Sequence, residues 1–165
     1  MFRLPFPRWS LRFGRDARGT AAVEAGLAFP FIALFGAGLF EYGSLFYNFE
    51  MIQTGVRDAA RYLSRARDPA ALETAARNLA LRGTVDSTGT LRIKWWQSTD
   101  IQITYETTPN PVNEATGRRL YRGRDPLVVV RVATSFNHTG LGLLNAFALG
   151  PVRVTASHEE RYGGE

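Results

Sequence analysis

The chain has no cysteine, one lysine (Lys94) and two histidines (His138 and His158). The missing cysteine excludes a disulfide framework, a thiol nucleophile and any cysteine-ligated metal. It selects no compartment, because exported proteins can also lack cysteine. The histidines offer little chemistry. In His158-Glu159-Glu160 only His158 and Glu160 would share a strand face, which is not a metal-binding arrangement. Ser135 and His138 are close in sequence, but nothing supplies a third triad member. No nucleophile motif, phosphate loop or paired acid–base constellation stands out. The expectation is a protein with no catalytic residue, metal or cofactor. An anchored enzyme is the weakest of the readings kept open.

Charge is missing from one further place. Between Ala25 and Phe40 there is no ionisable residue. As a helix, residues 21–47 would be about 40 Å long at 1.5 Å per residue. A bilayer core of about 30 Å needs about 20 apolar residues. The segment is therefore long enough to span, with Tyr42, Phe46 and Tyr47 at the outer interface. Pro30 lies inside it, which membrane helices tolerate.

What is present is positive charge, and it is unevenly placed. Net charge is +5, and Arg3, Arg8, Arg12, Arg15 and Arg18 precede the apolar run, offset only by Asp16. This is a topology signal: the basic end stays in the cytoplasm and the rest is exported. A cleavable secretory signal fits less well. The leader is long, the apolar run exceeds a usual signal core, and no small-x-small site follows cleanly.

Two glycines in this region each precede a glutamate by five residues. Gly19 is followed by Thr20 and then Glu24; Gly36 is followed by Ala37 and then Glu41-Tyr42. A carboxylate at the membrane edge is tolerated at modest cost. Glu24 also has an ordinary explanation, as an interfacial acid near a helix N-terminus.

The stretch "GTAAVEAGLAFPFIALFGAGLFEYGSLFY" resembles the N-terminal signature of TadE-like proteins, minor pseudopilins of tight-adherence (Flp pilus) systems. The matching elements are Gly19, Val23-Glu24, Pro30, the apolar run and Glu41-Tyr42-Gly43. "TGVRDAARYLSRA" resembles the helix that follows in the family, and "VRVTASHEERY" its closing strand. Ala25 departs from the aromatic residue usual after the glutamate. The resemblance implies that a prepilin peptidase cuts between Gly19 and Thr20. It also implies that Glu24, then the fifth residue, meets the new α-amino group of a neighbouring subunit. Gly36-Ala37, with Glu41 and Tyr42, is the alternative processing site. Position favours Gly19, because Gly36 lies deep in the span and a cut there leaves too little apolar length to anchor. The implied partners are the inner membrane, the peptidase and other Tad pilus subunits, with no nucleic acid. The C-terminal domain would be periplasmic and the fibre itself a possible destination. The alternative is an uncleaved single-pass membrane protein whose exported domain binds an envelope partner or ligand.

The expected organisation is a basic cytoplasmic leader (1–19), a transmembrane helix (20–47) and an exported pilin-like domain (48–165). Past the membrane, Ile52, Val56, Ala59, Ala60 and Leu63 share one helical face. Arg57, Arg61 and Arg65 form a separate stripe, read as a solvated face partly paired with Asp58. Asp68-Pro69 starts a second helix that ends at Gly83, with Leu72, Ala76, Leu79 and Ala80 on one side. "LRIKWW" and "DIQITYET" alternate as strands do, with Ser98-Thr99-Asp100 as a hairpin between them. Trp95 and Trp96 would then point to opposite faces. "TPNPVNEATGRRLYRGRDP" reads as a polar loop with a basic cluster at Arg118, Arg119, Arg122 and Arg124. "LVVVRVATSFN" reads as a buried strand and "VRVTASHEERY" as the last strand. Between them "HTGLGLLNAFALGP" is an apolar connection, a short helix or a hydrophobic loop. The fold class is α+β: a long N-terminal transmembrane helix continuing into a pilin-like domain, with a second helix and an antiparallel sheet of about four strands.

Overall fold

The computed structural model describes residues 17–138, 142 and 151–163. The basic leader before Ala17 and most of the 138–151 connection lie outside the described residues. The chain divides into two compact units, with the boundary between Tyr42 and Gly43.

In the first unit, helix α1 (Ala17–Ser64) begins. It runs through Pro30 without interruption. Proline lacks the donor that would reach the Gly26 carbonyl, and its ring crowds that carbonyl. Every residue from Gly19 to Phe35 is exposed. Val23, Leu27, Phe29, Phe31, Ile32 and Phe35 all project outward. This part of α1 is long and apolar enough to cross a membrane.

In the second unit the same helix carries a stripe rather than a sleeve of apolar residues. Ile52, Val56, Ala59, Ala60 and Leu63 are all fully buried. Against them pack Ala76, Ala80 and Leu81 of α2 (Glu73–Arg82) and the inner face of the sheet. α2 starts later than expected, at Glu73 with Leu72 before it as N-cap rather than at Pro69. The Asp68 carboxylate accepts the Ala71 amide at 3.3 Å, and a short 3₁₀ turn, Ala70–Leu72, leads into the helix. Gly83 closes it with φ +77 and donates its amide to the Leu79 carbonyl at 2.9 Å.

The main sheet has three antiparallel strands, β1 (Ile101–Thr108), β4 (Leu127–Asn137) and β5 (Arg153–Arg161), in the order β1-β4-β5. Its register sets Ile101 opposite Thr134 and Thr134 opposite Ala156. Ile101, Val130, Val132, Thr134, Val154 and Ala156 thereby share the buried face. A separate ribbon pairs β2 (Val112–Asn113) with β3 (Arg118–Arg119). The α+β class stands, with three strands in the main sheet and two in the ribbon.

Three local expectations change. "LRIKWW" is not a strand. Ile93 and Trp96 are both buried three residues apart, and the Trp96 amide bonds back to the Ile93 carbonyl at 3.3 Å. That turn puts both side chains into the core between α2 and the sheet, where alternation would have separated them. Ser98–Asp100 is accordingly a 3₁₀ turn opening β1, not a hairpin. β4 is buried on one face only. On its other face Arg131 lies 3.4 Å from Glu159 and 3.8 Å from Glu106.

Two contacts define how tightly the second unit packs. Trp96 is 1% exposed and its indole N–H donates to the Thr134 hydroxyl at 3.0 Å. A buried donor is thus satisfied by a buried acceptor. A methyl on Gly55 would come within 2.6 Å of the Ala80 carbonyl oxygen and 2.8 Å of the Trp96 ring. Only glycine lets α1 approach α2 and the indole this closely. The end of α1 is tied down as well. The Gly163 amide donates to the Ser64 carbonyl at 2.9 Å, satisfying an acceptor that the helix leaves open.

The charged residues around α1 are paired differently from expectation. Asp58 pairs with Arg92 at 2.8 Å rather than with the arginine stripe. Arg61 instead reaches Glu160 at 3.3 Å, and Glu160 also bonds His158 at 3.0 Å. The bond from His158, with help from Arg61, holds the Glu160 carboxyl below its ordinary value. Tyr105 donates to Glu73 at 3.3 Å. Burial, reinforced by that carboxylate, pushes its phenol up to about 12.

Candidate functional site

The sequence-derived site residues all lie on α1, but in two different settings. Gly19 and Thr20 lie near the start of its described part. Both are exposed, and a methyl added at Gly19 would meet nothing within 4 Å. Glu24 is exposed and makes no ion pair among the described residues. It sits about two turns into the helix, beyond the turn where the macrodipole favours an acid. The first turn of α1 holds no acidic residue.

Gly36 and Ala37 lie in mid-helix and are half-buried. Reaching that peptide would require breaking helical hydrogen bonds on both sides. Glu41 is only 4% exposed and is already engaged in an interaction within the chain. Tyr42 beside it is exposed. The two glutamates at matching distances from glycines therefore differ physically. Glu24 is open to an outside partner, and Glu41 is occupied inside its own chain.

The residues weighed for catalysis do not converge. Ser135 accepts from Arg153 Nε at 2.7 Å and bonds Thr155 at 3.2 Å. His138 is buried with its ring edge-on to Trp95, the centroids 5.6 Å apart. Among the described residues no group of histidine and carboxylate side chains is placed to hold a metal ion.

Comparison with known proteins bears on this helix directly. The family model described as TadE-like protein matches residues 19–61. The N-terminal helix is TadE-like. The match begins at Gly19, includes Glu24 and Glu41, and ends at Arg61 on the buried stripe. The match covers less than half of the chain and overlaps the helix that is long and apolar enough to cross a membrane. No curated protein and no solved structure gave a significant match.

Sequence reasoning passed over two organising residues. Gly55 was invisible because the α2 carbonyl and the indole that require it come from distant parts of the chain. Asn110 lies between Pro109 and Pro111, and that rare Pro-Asn-Pro run was the available signal. It is 2% exposed, and its amide group satisfies the backbone of the loop at Tyr121 and Arg124.

Proposed function

We propose that this chain is a minor pseudopilin of a Tad pilus system, anchored by α1 and cut between Gly19 and Thr20 by a prepilin peptidase. The observation that carries this reading is the coincidence of the TadE-like match with an exposed Gly19-Thr20 peptide near the start of the described part of α1. After cleavage Glu24 is the fifth residue, and its unpaired carboxylate docks on the α-amino group of an adjacent subunit. The exported domain then serves assembly rather than catalysis, with its C-terminal side in the periplasm.

The test is the N-terminus and intact mass of the protein from membranes of cells with and without the peptidase. A peptidase-dependent Thr20 terminus is expected. An Ala37 terminus would move the site to Gly36. A chain keeping its leader in both strains would refute processing and leave an uncleaved single-pass protein whose exported domain binds an envelope partner.

A further inference from the structure

The basic cluster expected as a solvated loop is instead an organised surface. Beyond Tyr47 the exposed large apolar side chains among the described residues are Val85, Tyr105, Val112, Leu120 and Tyr121. The last three all belong to the β2–β3 ribbon and the residues just after it. Leu120, at 82% exposed, stands out further than the span's own Phe35 or Phe40. Around it lie Arg118, Arg119 and Arg122, all exposed. Arg118 and Arg122 make no ion pair among the described residues.

The loop is held in this display from beneath. Asn110 donates to the Tyr121 carbonyl at 2.8 Å and accepts the Tyr121 amide at 3.1 Å. The Asp125 carboxylate accepts the Asn110 backbone amide at 2.7 Å. Arg119 donates to the Gly123 carbonyl at 3.0 Å, and Arg161 of β5 donates to the Arg122 carbonyl. A merely solvated loop needs neither a buried asparagine to fix it nor a leucine at its tip. A protruding leucine and tyrosine ringed by arginines is the chemistry of a bilayer interface: apolar groups enter the headgroup region while guanidinium groups meet lipid phosphates.

We infer that the ribbon is a docking surface for an anionic phospholipid bilayer, with Leu120 and Tyr121 inserted and Arg118 and Arg122 on lipid phosphates. This rests on the anchoring half of the proposed function. A chain anchored by its own helix keeps a bilayer nearby, so a surface contact that meets it operates at raised effective concentration.

The absence of cysteine makes the test direct. Full-length protein carrying Leu120→Cys, and separately Ala33→Cys as an insertion control, is spin-labelled and reconstituted. The vesicles are phosphatidylcholine alone or phosphatidylcholine with phosphatidylglycerol. The Ala33→Cys label is expected to be lipid-buried in both. The Leu120→Cys label is expected to become accessible to oxygen and shielded from a water-soluble relaxer only in the anionic vesicles, and to be released at high salt. Adding Arg118→Gln and Arg122→Gln should weaken docking about thirtyfold. A water-exposed Leu120→Cys label in anionic vesicles, with the Ala33→Cys label buried, overturns the inference and leaves the anchor intact. Equal burial in both lipids overturns the preference for an anionic bilayer. A water-exposed Ala33→Cys label overturns the anchor and this inference together.

Discussion

The two halves of α1 have similar helical backbone and opposite needs. Up to Phe35 its apolar side chains point in all directions and none is covered by protein. From Ile52 to Leu63 they lie on one face and are fully covered by α2, Trp96 and the sheet. A helix apolar all round requires a surrounding apolar phase; a striped helix requires one partner surface. Hydrophobic content alone therefore does not say whether a helix belongs to lipid or to protein. The angular distribution does.

Mutations can test this division, in falling order of their effect on the folded domain. Leu63→Ala should cost about 2–5 kcal/mol in unfolding free energy, because it empties a fully buried site. Leu39→Ala, in the exposed half, should stay within about 0.5 kcal/mol. Denaturant titration followed by tryptophan fluorescence in detergent checks both, and equal losses would erase the distinction.

The glycines offer a sharper version. Gly55→Ala should destabilise by about 1–3 kcal/mol by overpacking against the Ala80 carbonyl and the indole. Gly26→Ala, where a methyl meets nothing within 4 Å, should be neutral or stabilise the helix by up to about 1 kcal/mol. Thermal melts of the two variants should move in different directions or by clearly different amounts.

A smaller effect belongs to Glu160. Its folded pKa lies below the ordinary carboxylate value of 4.5, first because of the bond with His158 and then because of Arg61. The stability it contributes is present above that value and lost as pH falls through the lower folded pKa. The group is partly solvated, so the contribution stays under about 1 kcal/mol. On acid titration, Glu160→Gln should be slightly less stable than wild type near neutrality, and the two stability curves should converge as pH falls through the lowered pKa.

Glu24→Gln should change the domain's melting temperature least of all, since nothing among the described residues pairs with it. Its effect should appear in assembly. The variant is expected to be processed but to fail to crosslink to neighbouring subunits. Normal assembly of Glu24→Gln would remove the docking role.

Legibility followed the range of the interactions. The apolar stripe from Ile52, the Gly83 stop and the approximate boundaries of β1, β4 and β5 were readable because each depends on local periodicity or local capping. "LRIKWW" was misread because its alternating pattern competed with a turn selected by distant partners: Trp96 is drawn inward by Thr134, and Ile93 joins it in the core. At the candidate site both glycine–glutamate pairs were legible. Their difference in exposure was not, because burial of Glu41 depends on more than its neighbours in sequence.

What the amino-acid order determined by itself was the existence of an anchor-length apolar segment, its basic flank and the striped helix that follows. Those properties are sums over adjacent residues, and water or lipid responds to them without knowing the fold. Only the tertiary structure decided that Gly55 lies tight against the Ala80 carbonyl and the Trp96 ring, that Asp58 serves Arg92, and that the arginine loop is pinned by Asn110 with Leu120 displayed. Each of those depends on which distant atoms come within a few ångströms, a distance set by chain folding and not by sequence neighbours.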